Sequence, residues 1–188
     1  MTGDPQPPRR GDQRRWFFRR NSDGKERMNI QPPRPTSTTD EDAAVVRQME
    51  IVGVRVEIAT NNPIVLLKET QGERYLPIWI GPNEATAIAF AQKGMVPHRP
   101  LTHDLMRDIF EVLEIRLAAA RITELRDGIF ISSLRFANGR QVIARPSDSI
   151  ALAQRTGAPI EVAEEILEVA GIALPDELQD PEQEAESK

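Results

Sequence analysis

LPIWIGPNEATAIAFAQKG, Leu76 to Gly94, passes from an apolar strand-like segment through a Gly-Pro turn into a helix of small residues. Proline has its φ preset for a helix start and lacks the N–H that would go unpaired there. The helix is therefore expected to begin at Pro82 or just after it, with Asn83 as N-cap and Gly94 as terminator. The pattern recurs as QVIARPSDSIALAQRTG, Gln141 to Gly157. With Pro82 set on Pro146, Asn83 falls on Ser147, Glu84 on Asp148, Ala87 on Ala151, Ile88 on Leu152 and Ala89 on Ala153. Two strand-turn-helix units, each with an acidic residue in its first turn, are expected to organise the chain.

Working outward, MEIVGVRVEI from Met49 to Ile58 alternates apolar and polar residues, as a strand with one buried face does. Asn61-Asn62-Pro63 is a turn, and PIVLLKE and RYLPIWI are strands joined by a hairpin at Gln71-Gly72. Pro77 cannot donate to a ladder, which assigns it to an edge or a bulge. Thr102 is the expected N-cap of the helix HDLMRDIFEVLEI, whose Leu105, Ile109, Val112 and Leu113 form an apolar stripe. ARITELR, IFISSLRF and RQVIA read as three more strands, with turns at Asp127-Gly128 and Asn138-Gly139. Ser147 and Gly157 bound the third helix, Pro159 to Val162 is a short strand, and EEILEVAG is a last helix ending at Gly171. The expected fold is α+β: a mixed or antiparallel sheet built from pseudo-duplicated βββα units, with a bridging helix and a short C-terminal helix.

Composition divides the 188 residues into three parts. Residues 1–47 hold ten basic and seven acidic side chains and six of the fifteen prolines, without apolar periodicity, and read as a disordered basic tail. Within it, RRWFFRR (Arg14 to Arg20) has the make-up of a nucleic-acid or membrane-surface anchor, though a solvated tail with an incidental apolar patch is the simpler reading. Because Met49 opens the first periodic strand, this tail reads as an extension or a start placed too early. Residues 48–175 form the domain, with thirteen basic and sixteen acidic side chains; residues 176–188, with one and six, read as a disordered acidic tail. The mildly acidic domain offers no global field for nucleic acid, so such chemistry needs a local basic patch or a metal. Cysteine is absent, which excludes disulfides, thiol nucleophiles and Cys-ligated metals. No apolar run is long enough to span a bilayer and no secretory signal is evident, so a cytoplasmic location is expected.

LPIWIGPNEATAIAF, RPLTHDLMRDIF and ARPSDSIALAQRTGAPIEV together resemble the bifunctional nuclease domain family, in the order in which the family carries them. The resemblance spans about residues 49–175. It implies a compact α+β domain, nuclease activity on both DNA and RNA, and homo-oligomers of at least two copies. Residue roles come from chemistry instead.

Phosphodiester cleavage needs an activated water, charge stabilisation at phosphate and protonation of the leaving oxygen. With His98 and His103 the only histidines, carboxylates holding Mg²⁺ or Mn²⁺ are the expected solution. Glu84, Asp148 and Asp104 are the candidate ligands or base, His103 a candidate general acid or base, and Arg145 and Arg99 candidate phosphate clamps. If the repeated turns converge, Glu84 approaches Asp148. Each residue also has a structural reading. First-turn carboxylates complement the helix dipole, Thr102-His103-Asp104 can be only a cap and polar turn, and Arg145 can simply neutralise Asp148 or Asp104. Trp79 and Tyr75 read as core or dimer contacts. The rival function is a non-catalytic oligomeric module binding an anionic ligand or a partner protein.

Overall fold

The computed structural model describes residues 45–58 and 60–173, together with the backbone of two short N-terminal strands. Those strands, β1 (Phe18–Arg20) and β2 (Glu26–Met28), pair antiparallel in a unit separate from residues 37–188. Of the aromatic-basic motif Arg14 to Arg20 only the backbone of Phe18–Arg20 is described; the rest of residues 1–44 outside β1 and β2, and the acidic tail 176–188, lie outside the described residues.

Strands β3 (Val46–Glu57), β4 (Asn62–Glu69) and β5 (Arg74–Trp79) form one antiparallel meander; β6 (Leu117–Arg126), β7 (Ile129–Phe136) and β8 (Gln141–Ala144) form another. Between them lies β9 (Ile160–Ala163), antiparallel to β3 and parallel to β6. The two-residue β10 (Ile172–Ala173) adds to β5, giving a mixed sheet of eight described strands. The expected α+β class holds. Each meander precedes a helix, but that order alone does not establish a duplication.

Residues from both meanders and β9 build the core. Val65 and Leu67 of β4 and Leu76 and Ile78 of β5 meet Ile122, Leu134 and Val162 of the second half. Tyr75 is buried, with the Lys68 ammonium 5.7 Å from its ring centroid, as a core residue. Pro77 pairs with Leu66 on β4 and lies beyond the two positions that β10 covers, so its missing N–H falls at an effectively open edge.

Among the described residues four helices accompany the sheet: α1 (Pro82–Gln92), α2 (Thr102–Val112), α3 (Pro146–Thr156) and α4 (Glu164–Ala170). None of them has a side-chain N-cap bond, which corrects three assignments. Proline takes the first helical position in α1 and α3, so Gly81 and Arg145 become the N-caps and Asn83 and Ser147 fall inside the helix. In α2 the cap is Leu101 instead of Thr102, and its backbone N–H donates to Asp104 Oδ2 at 2.8 Å. The left-handed C-cap Gly157 (φ 69°) ends α3 as expected.

Helix α2 also turns a different face inward. Met106 and Phe110 pack against the core, Phe110 edge-to-face on Phe136 at 5.3 Å. Leu105, Ile109 and Val112, about 100° round the helix, remain exposed with Leu113. Helix α3, with seven buried residues, packs on α1 and α2, and the alanines of α1 permit close approach.

An ion network clips the C-terminal segment to the first meander. Arg74 donates to both Glu69 oxygens at 2.9 Å and to Glu164 Oε1 at 2.8 Å, and Arg47 pairs with Glu164. Arg74 and Arg47 hold Glu164 down at about 2 against an ordinary 4.5, and the Arg74 hydrogen bonds hold Glu69 below the same value. A depressed carboxylate stabilises fully above its unfolded pKa and loses that contribution as pH falls through its folded pKa. Stability is therefore expected to fall between about pH 4.5 and pH 2. Urea denaturation of the Glu69→Gln/Glu164→Gln variant should give a flatter profile across that window; an unchanged slope would refute the assignment.

Candidate active site

Three helix N-termini supply the candidate residues, and the acidic ones occupy the same position in each. Glu84, Asp104 and Asp148 are all third residues of their helices, where a carboxylate faces the positive end of the dipole. Their partners differ, and that separates two of them from the third.

Arg145, the N-cap of α3, brings Glu84 and Asp148 together. Its Nε and Nη2 donate to Asp148 Oδ2 and Oδ1 at 2.8 and 3.1 Å, and its Nη1 reaches Glu84 Oε1 at 2.8 Å. The guanidinium side chain is still 65% exposed. A guanidinium has five N–H groups, so these contacts leave one free on each Nη. Gly81 permits the arrangement, because a Cβ there would strike the Glu84 carboxylate.

His103, the second residue of α2, places Nε2 at 3.2 Å from Asp148 Oδ1 with its side chain 12% exposed. Burial alone would raise Asp148, but hydrogen bonds from Arg145 and His103 outweigh it and hold the carboxyl below its ordinary value. The Asp148 pairing likewise raises Arg145. The four residues form a chain, Glu84–Arg145–Asp148–His103, along an open cleft of about 770 Å³ whose apolar wall includes Met106, Leu134 and Ile143. These apolar walls, invisible in the motif spacing, come from α2 and from strands of the second meander.

Asp104 and Arg99, also expected in the site, lie apart from the Arg145 cluster. Asp104 Oδ1 accepts from Arg155 Nε at 2.6 Å, and Arg155 also donates to the carbonyls of Ala151 at 3.0 Å and Ala87 at 3.1 Å. Burial opposes the Asp104 charge, yet Arg155 and the Leu101 N–H hold its carboxyl below the ordinary value. This aspartate therefore ties α1, α2 and α3 together; sequence reading gave Arg155 no part in that. Arg99 is exposed in the loop between α1 and α2 and does not line the cleft, because the chain turns into α2 beyond it.

The donor set does not fit the expected Mg²⁺ or Mn²⁺. Two of the three carboxylates arrive, a guanidinium stands between them, and no three His, Asp or Glu side chains among the described residues are grouped to hold a metal ion. What the cluster offers is an exposed cation with two free donors beside an imidazole oriented by a carboxylate.

A mixed-sheet α+β domain with a histidine, an aspartate and an arginine linked at its helix starts is the class of molecule defined here. Residues 65–175 match the bifunctional nuclease domain, and the chain belongs to that family. Two uncharacterized proteins from different strains of Mycobacterium tuberculosis are each 51% identical to it over 130 residues, which is 69% of this chain and 79% of the relative. No helix of the described residues is long and apolar enough to cross a membrane.

Proposed function

We propose that the domain hydrolyses phosphodiester bonds of DNA and RNA with low sequence specificity, using Arg145 to hold phosphate and His103 to activate water. The observation that carries this reading is the Arg145–Asp148–His103 chain, since an exposed guanidinium and a carboxylate-bonded imidazole line one cleft. The free N–H groups of Arg145 take two phosphate oxygens and offset charge as it builds there. With Nε2 turned to Asp148, the Nδ1 of His103 takes a proton from water while the water oxygen bonds to phosphorus. The bond from phosphorus to the departing sugar oxygen breaks, and that oxygen takes its proton from solvent. Asp148 positions the imidazole, and Glu84 restrains Arg145.

The test is an assay of the full chain on single- and double-stranded DNA and RNA in EDTA, beside Arg145→Ala. Cleavage in EDTA that Arg145→Ala abolishes is the expected result. No activity above the Arg145→Ala level would favour the rival, a binding module for an anion or a partner protein. Cleavage only with Mg²⁺ or Mn²⁺ would overturn the metal-free step and give Glu84 and Asp148 to the metal.

The exposed stripe of Leu105, Ile109 and Val112 supports the homo-oligomer that the family resemblance implies. A monomer in sedimentation equilibrium would overturn that assembly.

A further inference from the structure

A second cleft, of about 590 Å³, lies against Arg145 and includes Trp79, Ile78, Ile129, Phe130 and Asn62 in its lining. We propose that it is a nucleobase subsite, so that the domain takes single-stranded nucleic acid with an unpaired base beside the bound phosphate. The proposal rests on Arg145 as the phosphate-binding cation and extends that site to a substrate class.

Arg145 lines both clefts and, among the described residues, is the only charged one lining this cleft. A ligand filling it therefore needs an apolar body with one anionic end, which describes a nucleotide unit. Trp79 supplies the aromatic surface. It is 55% exposed, unlike the buried Tyr75 of the same strand, so of the core or dimer contact read from the sequence the core reading does not hold for it. Its Nε1 donates to Glu57 Oε2 at 3.3 Å, which restrains the indole at the end of β5. Every base presents a π face to such a ring whatever its sequence, and Asn62 adds an amide for a base edge. A base paired and stacked in a duplex cannot enter a concave cleft without leaving its stack, so unpaired strands are favoured.

The experiment uses the full chain carrying Trp16→Phe, which leaves Trp79 as its only tryptophan, and His103→Ala to suppress turnover. Trp79 fluorescence is titrated with oligothymidylate, with an abasic oligomer of equal length and charge, and with duplex DNA. Oligothymidylate should quench the emission and bind about tenfold more tightly than either of the others. Trp79→Ala, followed by anisotropy of labelled oligomers, should remove that advantage and leave abasic binding unchanged. Equal affinity for abasic and base-bearing strands, or a preference that survives Trp79→Ala, overturns the subsite. Neither readout requires cleavage. Base preference without Arg145-dependent cleavage would keep the subsite and sink the hydrolase reading; cleavage without base preference would do the reverse.

Discussion

Asp104→Ala is expected to lower the unfolding free energy by about 3 kcal/mol and the melting midpoint by roughly 10 °C, with kcat of the folded protein nearly unchanged. Its partner Arg155 has a side chain only 5% exposed, so truncating the aspartate strands a buried guanidinium between two carbonyls. Breaking one side of such a pair costs more than removing both partners together. Asp104→Ala/Arg155→Met should therefore recover part of the loss in thermal and urea denaturation. A variant of Asp104 that melts like the parent yet loses activity would return this residue to the chemistry.

His103→Ala is expected to lower kcat about 10²- to 10⁴-fold, the range associated with removing a general base, with little effect on KM. Asp148→Asn separates positioning from chemistry. It weakens the hold on the imidazole, which lowers kcat, and frees Arg145 from its bidentate partner, which strengthens phosphate binding and lowers KM. A His103→Ala variant with parental kcat would remove the imidazole from the mechanism. Unchanged kcat and KM in the folded Asp148→Asn protein would assign that aspartate a purely structural part.

Strand β4 was legible because its burial alternates, and the turns because Asn61, Asp127, Gly128 and Gly139 take the positive φ that their sequences invite. The convergence of Glu84 and Asp148 on Arg145 was legible from the repeated Pro turn, although its agent was an N-cap side chain. The N-caps were misread where two local rules compete: proline took the first helical position and displaced the polar residue behind it. The face of α2 was hidden for a different reason. Two adjacent apolar stripes, one through Leu105 and one through Met106, satisfy the same helical period, and only the neighbouring Phe136 and α3 choose between them. Asp104 and Arg155 are 51 residues apart in sequence, a pairing that spacing cannot reveal. Trp79 likewise needed the cleft wall built by β6 and β7 before its exposure had meaning.

The central position of β9 has a consequence for how the protein is made. Glu84 emerges from the ribosome with the first meander and Arg145 with the second, yet the strand that joins the two into one sheet comes last. Its pairing with β3 spans over one hundred residues, as Val46 opposite Ala163 and the Arg47–Glu164 contact across 117 positions show. Such long-range closure is slow and leaves open strand edges while the chain waits. A nascent chain stalled before residue 160 therefore holds both Glu84 and Arg145 without the strand that unites their sheets, so the cluster that joins them is completed only after β9 has emerged.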